Sequence, residues 1–322
     1  MLKGDVKGSR IFRQTNKAKV LYSDLFSEYY RHIEIMGRAE ETLRTYQYHN
    51  KYFIRFLNVT YGEKVYCDAI NLEIFEDYIR YLKDKGIKNN ITINSYMQNI
   101  SPIVKYGFKK GCILEDFYIP YLKVQETFKD IYNPEELNAL LQKPKDKDFT
   151  TVRTWSIIWT MASTGVRATE LRNLKVGALD LYNRSIAVNH TKNKKARYLP
   201  ISNSLAEVLE EYMQLRDGNA EDYLFPSVYN DQLARTTLQK CVKVYCNSRG
   251  VDKCGLHLFR HTFITNAVNT NCSPLILKKI TGHSTLKELN RYYNATLVDV
   301  VGVIDSVAPK LSKKESHFKK KK

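Results

Sequence analysis

The chain has 322 residues, 43% of them hydrophobic, and a formal net charge of +17. That length suits two ordinary domains with cores of their own. No apolar run approaches the ~18 residues of a membrane span, and Met1 to Asp5 carry no apolar signal segment, so a cytoplasmic protein without a membrane partner is expected. Six cysteines, Cys67, Cys112, Cys241, Cys246, Cys254 and Cys272, include no Cys-x-x-Cys pair. That argues against a zinc site or a disulfide framework and for reduced, mostly buried thiols.

The charge is concentrated at the ends. Residues 1–20 hold six Lys/Arg and one acid, and residues 309–322 hold seven lysines and one glutamate. We read 1–20 as a basic arm and 310–322 as a basic tail. Such segments attract DNA, RNA or anionic lipid alike, so charge suggests a polyanion without choosing one.

In chain order, Leu21 to Met36 reads as a helix with apolar and aromatic residues on one face. A second begins near Ala39 or Glu40, with Leu43, Tyr46, Phe53 and Phe56/Leu57 at helical spacing. Asn71 is placed to cap a third, whose Leu72, Phe75, Tyr78/Ile79 and Leu82 repeat at three and four before Gly86 stops it. A fourth runs from about Thr92 to Lys109 with Pro102 inside, where a bend is expected. Four amphipathic helices predict an all-helical domain over 21–115. Asp116 to Ile131 lacks a sustained period and is read as a linker. Asn133-Pro134-Glu135-Glu136 opens a second domain, 132–309, with a cap, a proline at the first helical position and acids in the first turn.

In that domain Trp155 to Ser163 reads as an apolar helix ended by Thr164-Gly165, with a new helix near Ala168. Leu179 to Leu199 reads as a β-hairpin around the Lys-rich turn 192–195. Helices are then expected at Ser204 to Gln214, Arg235 to Asn247, His257 to Val268 and Pro274 to Ile280. Leu297 to Val307 is a further apolar, helix-like run. The expected class is mainly α, with a small antiparallel β-hairpin or sheet in the second domain.

Polar motifs punctuate this second domain. They are Thr164-Gly165-Val166-Arg167-Ala168-Thr169-Glu170-Leu171, then Thr191-Lys192-Asn193-Lys194-Lys195-Ala196-Arg197-Tyr198-Leu199-Pro200, His257-Leu258-Phe259-Arg260-His261, Thr281-Gly282-His283 and Arg291-Tyr292-Tyr293. Cleaving a phosphodiester without a metal needs a nucleophile, cations on the non-bridging oxygens and an acid for the departing hydroxyl. Arginine suits the cation because its planar fork grips two phosphate oxygens and keeps its charge. Tyrosine suits the nucleophile because a phosphotyrosyl ester conserves the bond energy for rejoining the strand.

In this order the motifs resemble the active site of the tyrosine recombinases, the phage integrase family, of the two-domain Xer-like type. The resemblance implies a SAM-like four-helix core-binding domain, then a mixed α/β catalytic domain, closing as a C-shaped clamp on duplex DNA. It implies that Tyr292 attacks the scissile phosphate to leave a 3′-phosphotyrosyl link. Arg167 and Arg260 would clamp the phosphate, Lys192 protonate the 5′ hydroxyl, His257 serve acid/base transfer and His283 support the phosphate. Lys194 and Lys195 compete with Lys192, because Thr191 and Asn193 stand where the family's turn has glycines. Tyr293 competes with Tyr292. His261 falls at a position with a packing role in the family. No metal or other cofactor is implied. Partners would be double-stranded DNA at recombination sites and further copies of the chain, four acting through a Holliday junction, for integration and excision of a mobile element or resolution of dimers. The alternatives are a type IB topoisomerase and a non-catalytic DNA-binding protein.

Overall fold

In the computed structural model, residues 19–125, 130–189, 196–290 and 292–293 are described. Lys192 with its turn, Arg291, Asn294, the run Leu297 to Val307, the basic tail and all but the end of the basic arm lie outside them. The chain divides into two compact units, Met1–Thr127 and Phe128–Lys322. No helix among the described residues is long and apolar enough to cross a membrane.

The first unit holds α1 (Tyr22–Ile35), α2 (Glu40–Tyr61), α3 (Leu72–Asp84) and α4 (Asn90–Lys110). Asn71 caps α3 by accepting from the Ile74 amide, and Asn89 caps α4. α4 continues as one helix through Pro102. The core is aromatic: Phe53 lies edge-on to Tyr22 at 5.1 Å and to Tyr78 at 4.9 Å. Buried Tyr22 has its hydroxyl satisfied by Asn50 Oδ1 at 2.9 Å, as a buried polar group requires. Part of the segment read as a linker packs here. Ile119 is buried, and the Asn94 side chain both donates to the Leu122 carbonyl and accepts from its amide, each at 2.8 Å.

The second unit starts with α5 (Pro134–Leu141), opened by a capping box of Asn133 and Glu136. α6 (Phe149–Thr164) is its central element, buried on nearly all sides and packed by α5, α8, α9 and α10. It begins six residues before Trp155 because Asp148 caps it and because buried polar residues along it find partners inside the fold, although Arg153 Nε has none. Arg153, 2% exposed, donates to the Pro226 carbonyl at 2.6 Å. Ser156, Thr160 and Thr164 each donate to the carbonyl four residues back.

After α7 (Ala168–Leu171) come β1 (Leu179–Asp180), β2 (Ser185–Val188) and β3 (Arg197–Pro200). The expected hairpin is β2 against β3, antiparallel with Ile186 opposite Leu199, and β1 adds a third strand with Leu179 opposite Ile186. α8 (Asn203–Arg216), α9 (Arg235–Ser248), α10 (Leu256–Asn269), α11 (Pro274–Thr281) and the short α12 (Lys287–Asn290) complete the unit. The class is mainly α with one small antiparallel sheet.

Candidate active site

The site forms where α6, β3, α10 and α11 end or begin. α6 stops at Gly165, whose φ of +62° is the left-handed conformation that ends helices and suits glycine. The chain then turns through buried Val166 into α7, which places Arg167 and Glu170 together. α11 stops in the same way at Gly282, φ +67°. A Cβ there would lie 2.9 Å from the Arg197 guanidinium carbon, so the glycine also makes room for that side chain.

Glu170, 1% exposed, is the hub. Its Oε1 accepts from Arg167 Nη1 at 3.1 Å and from Arg197 Nη1 at 3.0 Å, and its Oε2 from Arg197 Nη2 at 2.8 Å and the Arg167 amide at 3.1 Å. Burial alone would raise this carboxyl; the hydrogen bonds and charge of Arg197, with the amide and charge of Arg167, outweigh it and hold Glu170 below its ordinary range. Arg197 also donates from Nε to the Ile280 carbonyl at 2.8 Å, tying β3 to the end of α11.

The two candidate clamping arginines meet at one carbonyl, that of Thr281. Arg167 donates to Thr281 O at 3.4 Å and Gly282 O at 3.0 Å. Arg260, on α10, donates to Gly165 O at 2.6 Å and Thr281 O at 2.9 Å. Burial, then the neighbouring charge of Arg167, pushes Arg260 down to about 10 against the opposing charge of Glu170, so it stays a cation at neutral pH. Its Nη2 also lies 3.1 Å from His283 Nε2. Because arginine only donates, that nitrogen is the acceptor and the His283 proton sits on Nδ1. Nδ1 then donates to Thr281 Oγ1 at 2.7 Å, and Thr281 donates to Leu277 O at 2.6 Å. Among the described residues, three of the five guanidinium donors of Arg260 are engaged in this way.

His257, Arg260 and His261 stand at i, i+3 and i+4 on α10, one helix face. His257 is exposed on the first turn, and His261 Nδ1 lies 2.5 Å from the Tyr292 hydroxyl. Tyr293 points elsewhere: its hydroxyl donates to the Cys272 carbonyl at 2.7 Å, and burial raises its pKa. The structure thus brings together Arg167, Arg260 and His283, with Tyr292 held at the helix that carries Arg260. Arg197 and the Thr281 carbonyl were not singled out from the sequence, although the arginine stands within the hairpin motif. Among the described residues, no group of three His, Cys, Asp or Glu side chains is arranged to hold a metal ion.

This arrangement can be set beside known proteins. Residues 131–297, over half the chain, match the phage integrase family, and residues 22–125 match the phage integrase SAM-like domain. The chain belongs to the phage integrase family. It is a tyrosine recombinase, an enzyme of the class that breaks and rejoins DNA. Tyrosine recombinase XerC of Thermodesulfovibrio yellowstonii is 25% identical over 301 residues, covering 90% of this chain and 97% of that one. Tyrosine recombinase XerA of Pyrococcus furiosus is 25% identical over 284 residues, covering 87% and 92%. Among solved structures, the Tn1549 transposon integrase in complex with transposon right end DNA superposes with a TM-score of 0.73 at 20% identity, covering 90% of this chain and 100% of that chain. A lambda integrase dimer bound to a core site gives 0.67 at 14% identity, covering 91% and 98%. These two structures share the fold of this tyrosine recombinase.

Proposed function

We propose that this tyrosine recombinase acts at specific sites in duplex DNA, with Tyr292 as the nucleophile. Tyr292 attacks the scissile phosphate, leaving a 3′-phosphotyrosyl link and a 5′ hydroxyl. Arg167 and Arg260 hold the non-bridging oxygens as charge develops on them. His283 supports the same phosphate, His257 serves acid/base transfer beside it, and Lys192 protonates the leaving 5′ oxygen. Residues 21–115 bind the core DNA and 132–309 carry the chemistry. Four copies exchange strands through a Holliday junction in the cytoplasm, for integration and excision of a mobile element or for resolution of dimers.

The observation that carries this reading is the convergence of two buried or half-buried arginines on the Thr281 carbonyl, beside a tyrosine whose hydroxyl is held at α10. A cluster of cations that outnumbers its carboxylates is a prepared anion site; Glu170, the acid among its described residues, is already engaged by Arg197. The DNA partner is supported by the Tn1549 and lambda integrases, whose structures contain DNA. The test is a nicked suicide substrate and a search for a covalent complex. Tyr292→Phe is expected to abolish the complex and Tyr293→Phe to keep it; the reverse pattern refutes the assignment. Relaxation of a plasmid that lacks any recombination site would favour a topoisomerase instead.

A further inference from the structure

We propose that His261 is the base that takes the phenolic proton from Tyr292. The inference rests on the reading of Tyr292 as nucleophile and adds a residue whose position in the motif otherwise suggests packing alone. The Tyr292 hydroxyl lies 2.5 Å from His261 Nδ1, with the two rings 5.9 Å apart and tilted by 33°. That is contact distance for proton transfer, and imidazole is the side chain suited to receive a proton near neutrality. His261 follows Arg260 directly on α10, and Arg260 is anchored at both Gly165 and Thr281. The base is therefore fixed to the same rigid element as the clamp. Arg260 also interacts electrostatically with Tyr292, which favours the phenolate as it forms.

To accept at Nδ1, neutral His261 carries its own proton on Nε2. In cleavage the Tyr292 oxygen bonds to phosphorus, the bond from phosphorus to the 5′ oxygen breaks, and the phenolic proton passes to Nδ1. The 5′ oxygen takes its proton from the leaving-group acid. In rejoining, the 5′ hydroxyl gives its proton back to the leaving-group acid and its oxygen bonds to phosphorus, the phosphotyrosyl bond breaks and Nδ1 returns the proton to the tyrosine. His257, one turn earlier and exposed, serves the phosphate rather than the phenol. Among the described residues, the other ionisable groups gathered at the site include Arg167 and Glu170 of the α6–α7 corner, Arg197 of β3 and His283 after α11.

The test measures single-turnover formation of the covalent complex by the full chain on the nicked substrate. His261→Ala is expected to slow it by about 10²-fold or more while DNA affinity changes little. His261→Asn, which keeps an oxygen acceptor near the place of Nδ1 but cannot take a proton, is expected to be as slow. Replacing Tyr292 by a fluorinated tyrosine, whose phenol ionises more readily, is expected to restore much of the rate to His261→Ala. A wild-type rate in His261→Asn, or a loss the fluorinated residue does not relieve, would leave His261 a positioning residue and overturn the proposal. Faster cleavage by His261→Ala would make the contact a restraint on the nucleophile and overturn it too. Covalent complex formed by Tyr292→Phe would instead overturn the reading beneath it, so the two failures are distinct.

Discussion

Arg197 and Glu170 are joined by two parallel hydrogen bonds, at 3.0 Å and 2.8 Å, with the arginine side chain 10% exposed and the carboxylate 1%. The pair lies behind Arg167, which shares the same carboxylate at 3.1 Å. Without Arg197, Glu170 would be balanced by Arg167 alone, and the charge that Arg167 offers a phosphate would fall. Removing one member of a buried pair strands the other, at a cost of about 3–5 kcal/mol. Arg197→Ala is therefore expected to lower stability by that order in urea unfolding. If it still folds, its covalent-complex yield falls further than its DNA affinity.

The same carboxylate sets an acid limit on the fold. Glu170 is held below its ordinary value of 4.5 in the folded chain. A depressed carboxyl contributes stability that is complete above the unfolded value and is lost as pH falls through the lower folded one. Unfolding free energy is thus expected to drop below about pH 4.5, and Glu170→Gln to flatten that part of the profile while lowering stability at pH 7. An unchanged acid limb in Glu170→Gln would show that other carboxylates govern it.

The arginines that face the phosphate should matter more to the transition state than to binding. Arg167→Ala and Arg260→Ala are each expected to reduce cleavage by about 10²–10³-fold, with a much smaller loss of DNA affinity. Arg260→Lys should not rescue. An ammonium is a point charge and cannot span Gly165 O, Thr281 O and a phosphate as the planar fork does. Filter binding and suicide-substrate cleavage on the same preparations separate the two quantities, and equal losses would mark the arginines as ordinary phosphate contacts.

Gly165 joins the fold to the clamp. A methyl group there would sit 2.4 Å from Phe263 Cδ1, at a φ of +62° that other residues avoid. Gly165→Ala is expected to cost about 2 kcal/mol or more and to disturb the carbonyl that holds Arg260 at 2.6 Å. Thermal unfolding together with cleavage of the suicide substrate tests both halves, since a purely local strain would leave cleavage by the folded fraction intact.

Elements whose signals are local were legible from the sequence. Asn71 and the Asn133-Pro134 start fixed the beginnings of α3 and α5 because a cap needs only the next three residues. α6 was read too short because Arg153 looks like a surface residue until its partner, the Pro226 carbonyl 73 residues away, is known. β1 has only two residues, too few to alternate visibly. The site divides the same way. The resemblance of its motifs to the family pointed to Arg167, Arg260, His283 and Tyr292, whereas the bond of Arg197 to Ile280 and the contact of His261 with Tyr292 span 83 and 31 residues. Nothing in a local pattern reports such distances.

The carbonyls that seat the two arginines have a consequence for biosynthesis. Arg167 is translated 114 and 115 residues before the Thr281 and Gly282 oxygens that hold it, and Arg260 needs the turn at Gly165 and the end of α11 together. A nascent chain therefore carries the α6–α7 motif and its hairpin long before either arginine is seated. Neither arginine can gain its full set of carbonyl partners before α11 and the turn after it have been made.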